Sequence, residues 1–149
     1  MPRNSAKAVI VRDEKLLVIV KRGAEGEYFI LPGGGQEHFE SLPDALRREC
    51  LEEIGVAVEV GELLCVRDYI GRNHEFAAAD PDVHQVDLMF CCRLPDDYTP
   101  RLGHVPDTDQ EGVTWLPLDA LETAHLYPAV LKTVLTSGAR GPVYLGDVN

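Results

Sequence analysis

The stretch that most constrains this chain runs from Pro32 to Val56. Three consecutive glycines, Gly33-Gly34-Gly35, follow Pro32. They predict a loop whose backbone makes close approaches that a Cβ would forbid. Downstream, Ser41-Leu42-Pro43-Asp44 has the form of a capped helix start, with Ser41 as N-cap. Pro43 is acceptable there because the N–H groups of a first turn have no intrahelical partners. The pattern predicts a helix from Leu42 to Ile54, closed by Gly55 in the left-handed position after the last turn. At about 100° per residue, Leu42, Leu46, Cys50 and Ile54 fall on one stripe. One face of this helix is therefore committed to a core.

The same helix carries Glu49, Glu52 and Glu53. Glu53 projects close to Leu42, at the edge of the apolar stripe, and the three carboxylates share an arc of roughly 100°. Like charges at i,i+3 and i,i+4 cost a few tenths of a kcal/mol each on an exposed helix, and more beside a core of lower dielectric. Two compensations are open. Arg47 and Arg48 could neutralise the cluster, or a hard divalent cation could. Mg²⁺ prefers oxygen ligands and keeps waters beside a few carboxylates and substrate phosphates. Taken alone, the helix reads more simply as a solvated acidic face.

The context changes that reading. From Gly34 the chain runs five residues to Glu40, then seven to Arg48-Glu49-Cys50-Leu51-Glu52-Glu53-Ile54-Gly55-Val56. This resembles the box of the Nudix (MutT-like) hydrolase family, with every fixed position present between residues 34 and 56. Cys50 stands where an aliphatic residue is usual, a mild departure because a free thiol packs as a small hydrophobe. At average residue usage a chance match has a probability on the order of 10⁻⁹ per starting position. The flanking strand pattern and the late Trp115-Leu116-Pro117-Leu118-Asp119-Ala120-Leu121 segment also look like that family, so the resemblance spans nearly the whole chain.

The resemblance implies an α/β (α+β) fold, a mixed β-sheet sandwiched between α-helices, as a single domain over residues 1–149. It implies metal-dependent cleavage of the pyrophosphate bond of a nucleoside diphosphate linked to another moiety. By likeness, Glu49, Glu52 and Glu53 are ligands of Mg²⁺ or Mn²⁺, joined by the backbone carbonyl of Gly34. Glu49 is also a candidate to orient or deprotonate the attacking water. Arg48 would hold the carboxylate of Glu49 or Glu40, with Glu40 a supporting acid. A homodimer is a further expectation carried by resemblance alone. The rival class is a Nudix-fold sensor that holds a nucleotide without cleaving it. Such modules commonly lose box glutamates, and this chain keeps all of them.

Charge and composition narrow the partners. The chain has 14 Lys plus Arg against 25 Asp plus Glu, a net charge of −11. No basic footprint is present for duplex nucleic acid, but a small polyphosphate is compatible where a cation reverses the local sign. No apolar run approaches the roughly 18 residues of a membrane span, and no secretory signal is evident at the start. Cys50, Cys65, Cys91 and Cys92 form no CxxC pair, so reduced thiols and a cytoplasmic location are expected.

Elsewhere, strands are predicted at Ala6–Val11, Leu16–Val20, Tyr28–Leu31, Val56–Ile70 (interrupted near Gly61), Val83–Leu94, Val113–Leu116 and Val143–Leu145. Short helices are predicted from Pro117 and from Pro128. Arg22 and Arg67 are candidates to hold a phosphate or base, because guanidinium suits bidentate phosphate contact. A surface ion pair with Glu25 or Asp68 is the plainer role for each. Tyr28 or Phe29 could stack on a base, against ordinary core packing. Asp109 and Glu111 are candidates for a further acid, since many Nudix enzymes draw one from a late loop. The five histidines have no ligand spacing.

Overall fold

A computed structural model describes residues 1–138 and 140–149. The strands are β1 (Arg3–Val9), β2 (Val11–Arg12), β3 (Lys15–Gly23), β4 (Gly26–Ile30) and β5 (Gly33–Gly35), followed by helix α1 (Leu42–Ile54). Then come β6 (Glu59–Ile70), β7 (His84–Arg93), β8 (Gln110–Pro117), β9 (Leu126–Tyr127), helix α2 (Leu131–Thr136) and β10 (Tyr144–Asp147). Residues 118–123 form a 3₁₀ turn where a short helix was predicted.

Two five-stranded sheets result. One has the order β10-β6-β7-β1-β5, and the other β2-β3-β4-β9 with β8 on the free side of β3. The first is mixed: β1 runs parallel to β7, β10 parallel to β6, and β6 antiparallel to β7. The register of β6 on β7 slips between Val60 and Cys65, around Gly61, where the sequence pattern breaks.

The continuous apolar run in β3 has a physical reason. Leu17 and Ile19 face one core cluster with Leu46, Cys50 and Ile54 of α1. Leu16 and Val18 face a second cluster with Leu121, Leu126 and Leu131 on the α2 side. A strand covered on both faces must be apolar at every position. The sheets thus lie between α1 and the late helical segments, as the mixed-sheet expectation holds. Leu46 and Ile54 are fully buried, and each such side chain contributes about 1.5–3 kcal/mol.

Helix α1 begins and ends as its sequence predicts. Ser41 Oγ accepts from the N–H of Asp44, Pro43 sits in the first turn, and Gly55 takes φ 75°. The glycine loop is a correction. Gly33–Gly35 is a short strand, antiparallel to β1, with Gly33 opposite Lys7 and Gly35 opposite Ser5. The two backbones lie so close that a Cβ on Gly33 would sit 2.1 Å from the Ala6 carbonyl oxygen. Strand β9 was not anticipated at all; it consists of two residues paired with Phe29 and Ile30.

Candidate active site

The site is assembled where β5 passes the C-terminal half of α1. Gly34 is needed there by contact: an added Cβ would sit 2.6 Å from the Glu49 carboxyl carbon. Next to it, the Gly33 N–H donates to Glu53 Oε1 at 2.8 Å. The three-glycine strand therefore delivers one backbone N–H directly to Glu53 and sets bare backbone against Glu49.

Arg48 is the hub of the charge cluster. Its Nε donates to Glu40 Oε2 at 3.1 Å and its Nη2 to Glu40 Oε1 at 2.7 Å, a bidentate pair. Nη2 also donates to the Gly35 carbonyl at 3.0 Å, and Nη1 to Glu49 Oε1 at 3.0 Å. Glu52 lies 3.6 Å from the same guanidinium. Hydrogen bonding from Arg48, and then from the Glu37 N–H, holds the Glu40 carboxyl below its ordinary range. Arg47, the other sequence candidate for neutralising the cluster, is engaged with Asp44 at 2.9 Å.

Glu53 is different in kind. Only 3% of it is exposed. Burial pushes its carboxyl up to about 8; the Gly33 N–H and the charge of Lys7 pull it down, while Asp107 and Glu49 push it further up. A buried acid with one hydrogen bond and like-charged neighbours favours any arrangement that brings a cation.

Loop 98–110 closes this end of the helix. The last carbonyls of an α-helix have no intrahelical partners, and here the loop supplies them. Tyr98 Oη donates to the Ile54 carbonyl at 2.7 Å. The N–H groups of Gly103 and Val105 bond the carbonyls of Glu53 and Glu52. Gln110 Nε2 also donates to the Glu53 carbonyl, and Gln110 Oε1 accepts from the Asp107 N–H. Asp107 is thereby held near Glu53 while pairing with Lys21 at 3.0 Å.

The sequence singles out none of Lys7, Asp107 and Gln110. The late-loop candidates it does single out are placed elsewhere. Glu111 pairs with Arg22 at 2.7 Å, and Asp109, at φ 61°, offers its backbone carbonyl to the Arg22 N–H. Asp107 is the late acid whose charge bears on Glu53. Arg22 is a surface group shared between Glu27 and Glu111, not Glu25. Arg67 is buried and bonds Asp87 at 2.8 Å, not Asp68. It also lines a cavity beside the site, together with Tyr28.

The donor set suits a hard cation. Glu49, Glu52, Glu53 and the Gly34 carbonyl offer only oxygen. Among the described residues no three acidic, histidine or cysteine groups converge as a ready-made cage; the carboxylates are spread around the Arg48 guanidinium instead. The close seating of Glu49 on the bare backbone of Gly34 is the feature that fits a shared ligand.

A mixed fold with a glycine strand laid against a glutamate-bearing helix defines a class, and comparison gives its name. A family model of the NUDIX domain matches residues 1–135, and the chain belongs to the Nudix family of hydrolases. Members of this family generally need a divalent metal. A MutT NUDIX hydrolase from Burkholderia pseudomallei is 33% identical, with a TM-score of 0.61 over 80% of this chain and 85% of that one. A NUDIX hydrolase from Nitrosomonas europaea shares the fold at 23% identity and a TM-score of 0.69, covering 96% of this chain and 94% of that one. An ADP-ribose pyrophosphatase from Streptococcus suis does so at 20% identity and 0.64, covering 99% of this chain and 100% of that one. A search of curated proteins finds no significant match. No helix among the described residues is long and apolar enough to cross a membrane.

Proposed function

We propose that this enzyme hydrolyses the pyrophosphate bond of a nucleoside diphosphate derivative in the presence of Mg²⁺ or Mn²⁺. The observation that carries the reading is the seating of Glu49 and Glu53 on the backbone of Gly34 and Gly33, with Glu52 on the same face.

Phosphoryl transfer is mostly positioning and charge neutralisation. Three carboxylates alone would repel a diphosphate. A bound divalent cation supplies Lewis acidity to the phosphate oxygens and lowers the pKa of water. Glu49, Glu52 and Glu53 are the groups that would hold it, with the Gly34 carbonyl. Glu49, 17% exposed at its side chain, would accept a proton from the attacking water. Arg48 fixes Glu49 and Glu40 in orientation, so the accepting oxygen does not wander.

The test is a phosphate-release panel of nucleotide sugars, nucleoside triphosphates, dinucleoside polyphosphates and ADP-ribose, with Mg²⁺ and with Mn²⁺. Turnover of at least one compound, absent in EDTA and in Glu53→Gln, is the expected result. Tight nucleotide binding with no product would favour a sensor instead.

A further inference from the structure

A cavity of about 290 Å³ is lined by residues of both sheets. It is of the size that takes a small ligand. Part of its lining is aromatic: Tyr127 stands edge-to-face with Tyr28 at 6.1 Å and with Phe76 at 4.9 Å. Part is polar and fixed. Asp87, 1% exposed, accepts from Arg67 Nε at 2.8 Å and from Gln85 Nε2 at 2.7 Å. A carboxylate can only accept, so Asp87 fixes the Gln85 amide and leaves its oxygen without a protein partner. Aromatic surface with a few fixed polar groups suits a base and its sugar.

Lys7 stands between this cavity and the glutamates. It lines the cavity. In β1 it lies opposite Gly33, whose N–H is bonded to Glu53. Its charge bears on both Glu53 and Cys50. Three neighbouring cations are committed: Arg48 to Glu40 and Glu49, Arg67 to Asp87, Lys21 to Asp107. Arg3, which lies against Gly35, is solvent-exposed and is not among the residues lining the cavity. Among the described residues the Lys7 ammonium makes no hydrogen bond or ion pair. In a chain with 25 acidic residues, a half-buried cation left unpaired beside a buried carboxylate is available for an anion.

We infer that Lys7 binds the phosphate joined to the nucleoside half of the substrate, with that nucleoside seated in the cavity. The inference rests on the reading of the site as a nucleotide hydrolase. It makes Lys7, outside the box, the group that fixes where the diphosphate lies against Glu49, Glu52 and Glu53. Lysine serves here as a point charge on phosphate oxygens.

The experiment compares nucleoside with nucleoside monophosphate, for each of the common bases, by calorimetry in Mg²⁺. Wild type, Lys7→Met and Lys7→Arg are measured. The expected result is that Lys7→Met loses about tenfold in monophosphate affinity, the loss of one charge-assisted contact. Nucleoside affinity should fall far less than monophosphate affinity, an unchanged melting curve should show that the variant is folded, and Lys7→Arg should retain most of the monophosphate affinity. For a nucleotide the wild type hydrolyses, kcat/KM should fall at least as far in Lys7→Met. An unchanged monophosphate-to-nucleoside ratio in Lys7→Met, or an equal loss of both ligands, overturns the role of Lys7 while leaving hydrolysis intact. A wild type that turns over no nucleotide with either metal overturns the underlying reading as well.

Discussion

Two groups of acids in this molecule are built in opposite ways. At the corner of β6, β7 and β10, Asp68, Asp87 and Asp147 are surrounded by donors. Asp147 accepts from the Ile70 N–H and Asn73 Nδ2, and His74 Nε2 lies 2.6 Å away. Burial acts to raise its carboxyl, but the hydrogen bonds from Asn73, His74 and Ile70 outweigh it and hold the group at about 2. Asp68 accepts from Tyr144 and faces His84, and these contacts lower it too. On α1, by contrast, Glu53 is buried with one N–H and stands at about 8. Both regions are dense in carboxylates. What separates them is whether the protein supplies the compensating donors, and on α1 it supplies too few.

This contrast can be broken by mutation. The largest expected effect is at the satisfied corner. Asp87→Ala leaves Arg67 charged and buried, and breaking such a pair costs about 3–5 kcal/mol. At roughly 2–4 °C per kcal/mol for a chain this size, thermal denaturation should show a loss of ~10 °C. A change of a degree or two would mean that the pair is solvated.

Next comes chemistry at the unsatisfied cluster. Glu53→Gln and Glu49→Gln should each lower kcat by roughly 10²-fold or more. Glu53→Gln should not destabilise the fold at neutral pH, because the carboxyl raised to about 8 is already mostly uncharged there and the amide oxygen can still accept from the Gly33 N–H. Near-wild-type turnover in both would contradict the assigned roles. Arg48→Met should be intermediate, at about 1–3 kcal/mol, since it strands Glu40 and Glu49 together, and a denaturant midpoint reads this directly.

The pH dependence sharpens the comparison. The Glu53 carboxyl stands above its ordinary 4.5, at about 8. A raised acid leaves stability intact below its unfolded value and removes it as pH rises toward the folded one. Metal-free protein should therefore lose melting temperature between about pH 5 and pH 8, and Glu53→Gln should flatten that slope. Asp147 works the other way: its contribution is present above 3.8 and is lost as pH falls to about 2. Asp147→Asn should give the smallest effect, a few degrees at neutral pH with kcat unchanged.

Much of this was legible in the sequence because it is local. The Ser41 cap, the apolar stripe of α1 and the Gly55 terminus all lie within one continuous segment, and the structure follows them. Non-local pairing was not legible. Gly33–Gly35 reads as a loop because glycine carries no strand propensity, and only the proximity of β1 makes it a strand. The late loop docks through backbone carbonyls of Glu52, Glu53 and Ile54, which leave no trace in side-chain pattern. Asp107 therefore could not be told from Asp109 or Glu111 by spacing. Lys7 was equally silent, since a lone lysine in a strand means nothing until its partners are counted. Arg67 shows the converse: its charge was visible, but its partner across the sheet, Asp87, was not.

The most direct single measurement is turnover of the best substrate from the nucleotide panel with Mg²⁺, with excess EDTA, and in Glu53→Gln with Mg²⁺. Hydrolysis in the first case alone is the result expected if the α1 carboxylates grip a cation that grips the diphosphate. Hydrolysis that survives both chelation and the substitution would contradict it.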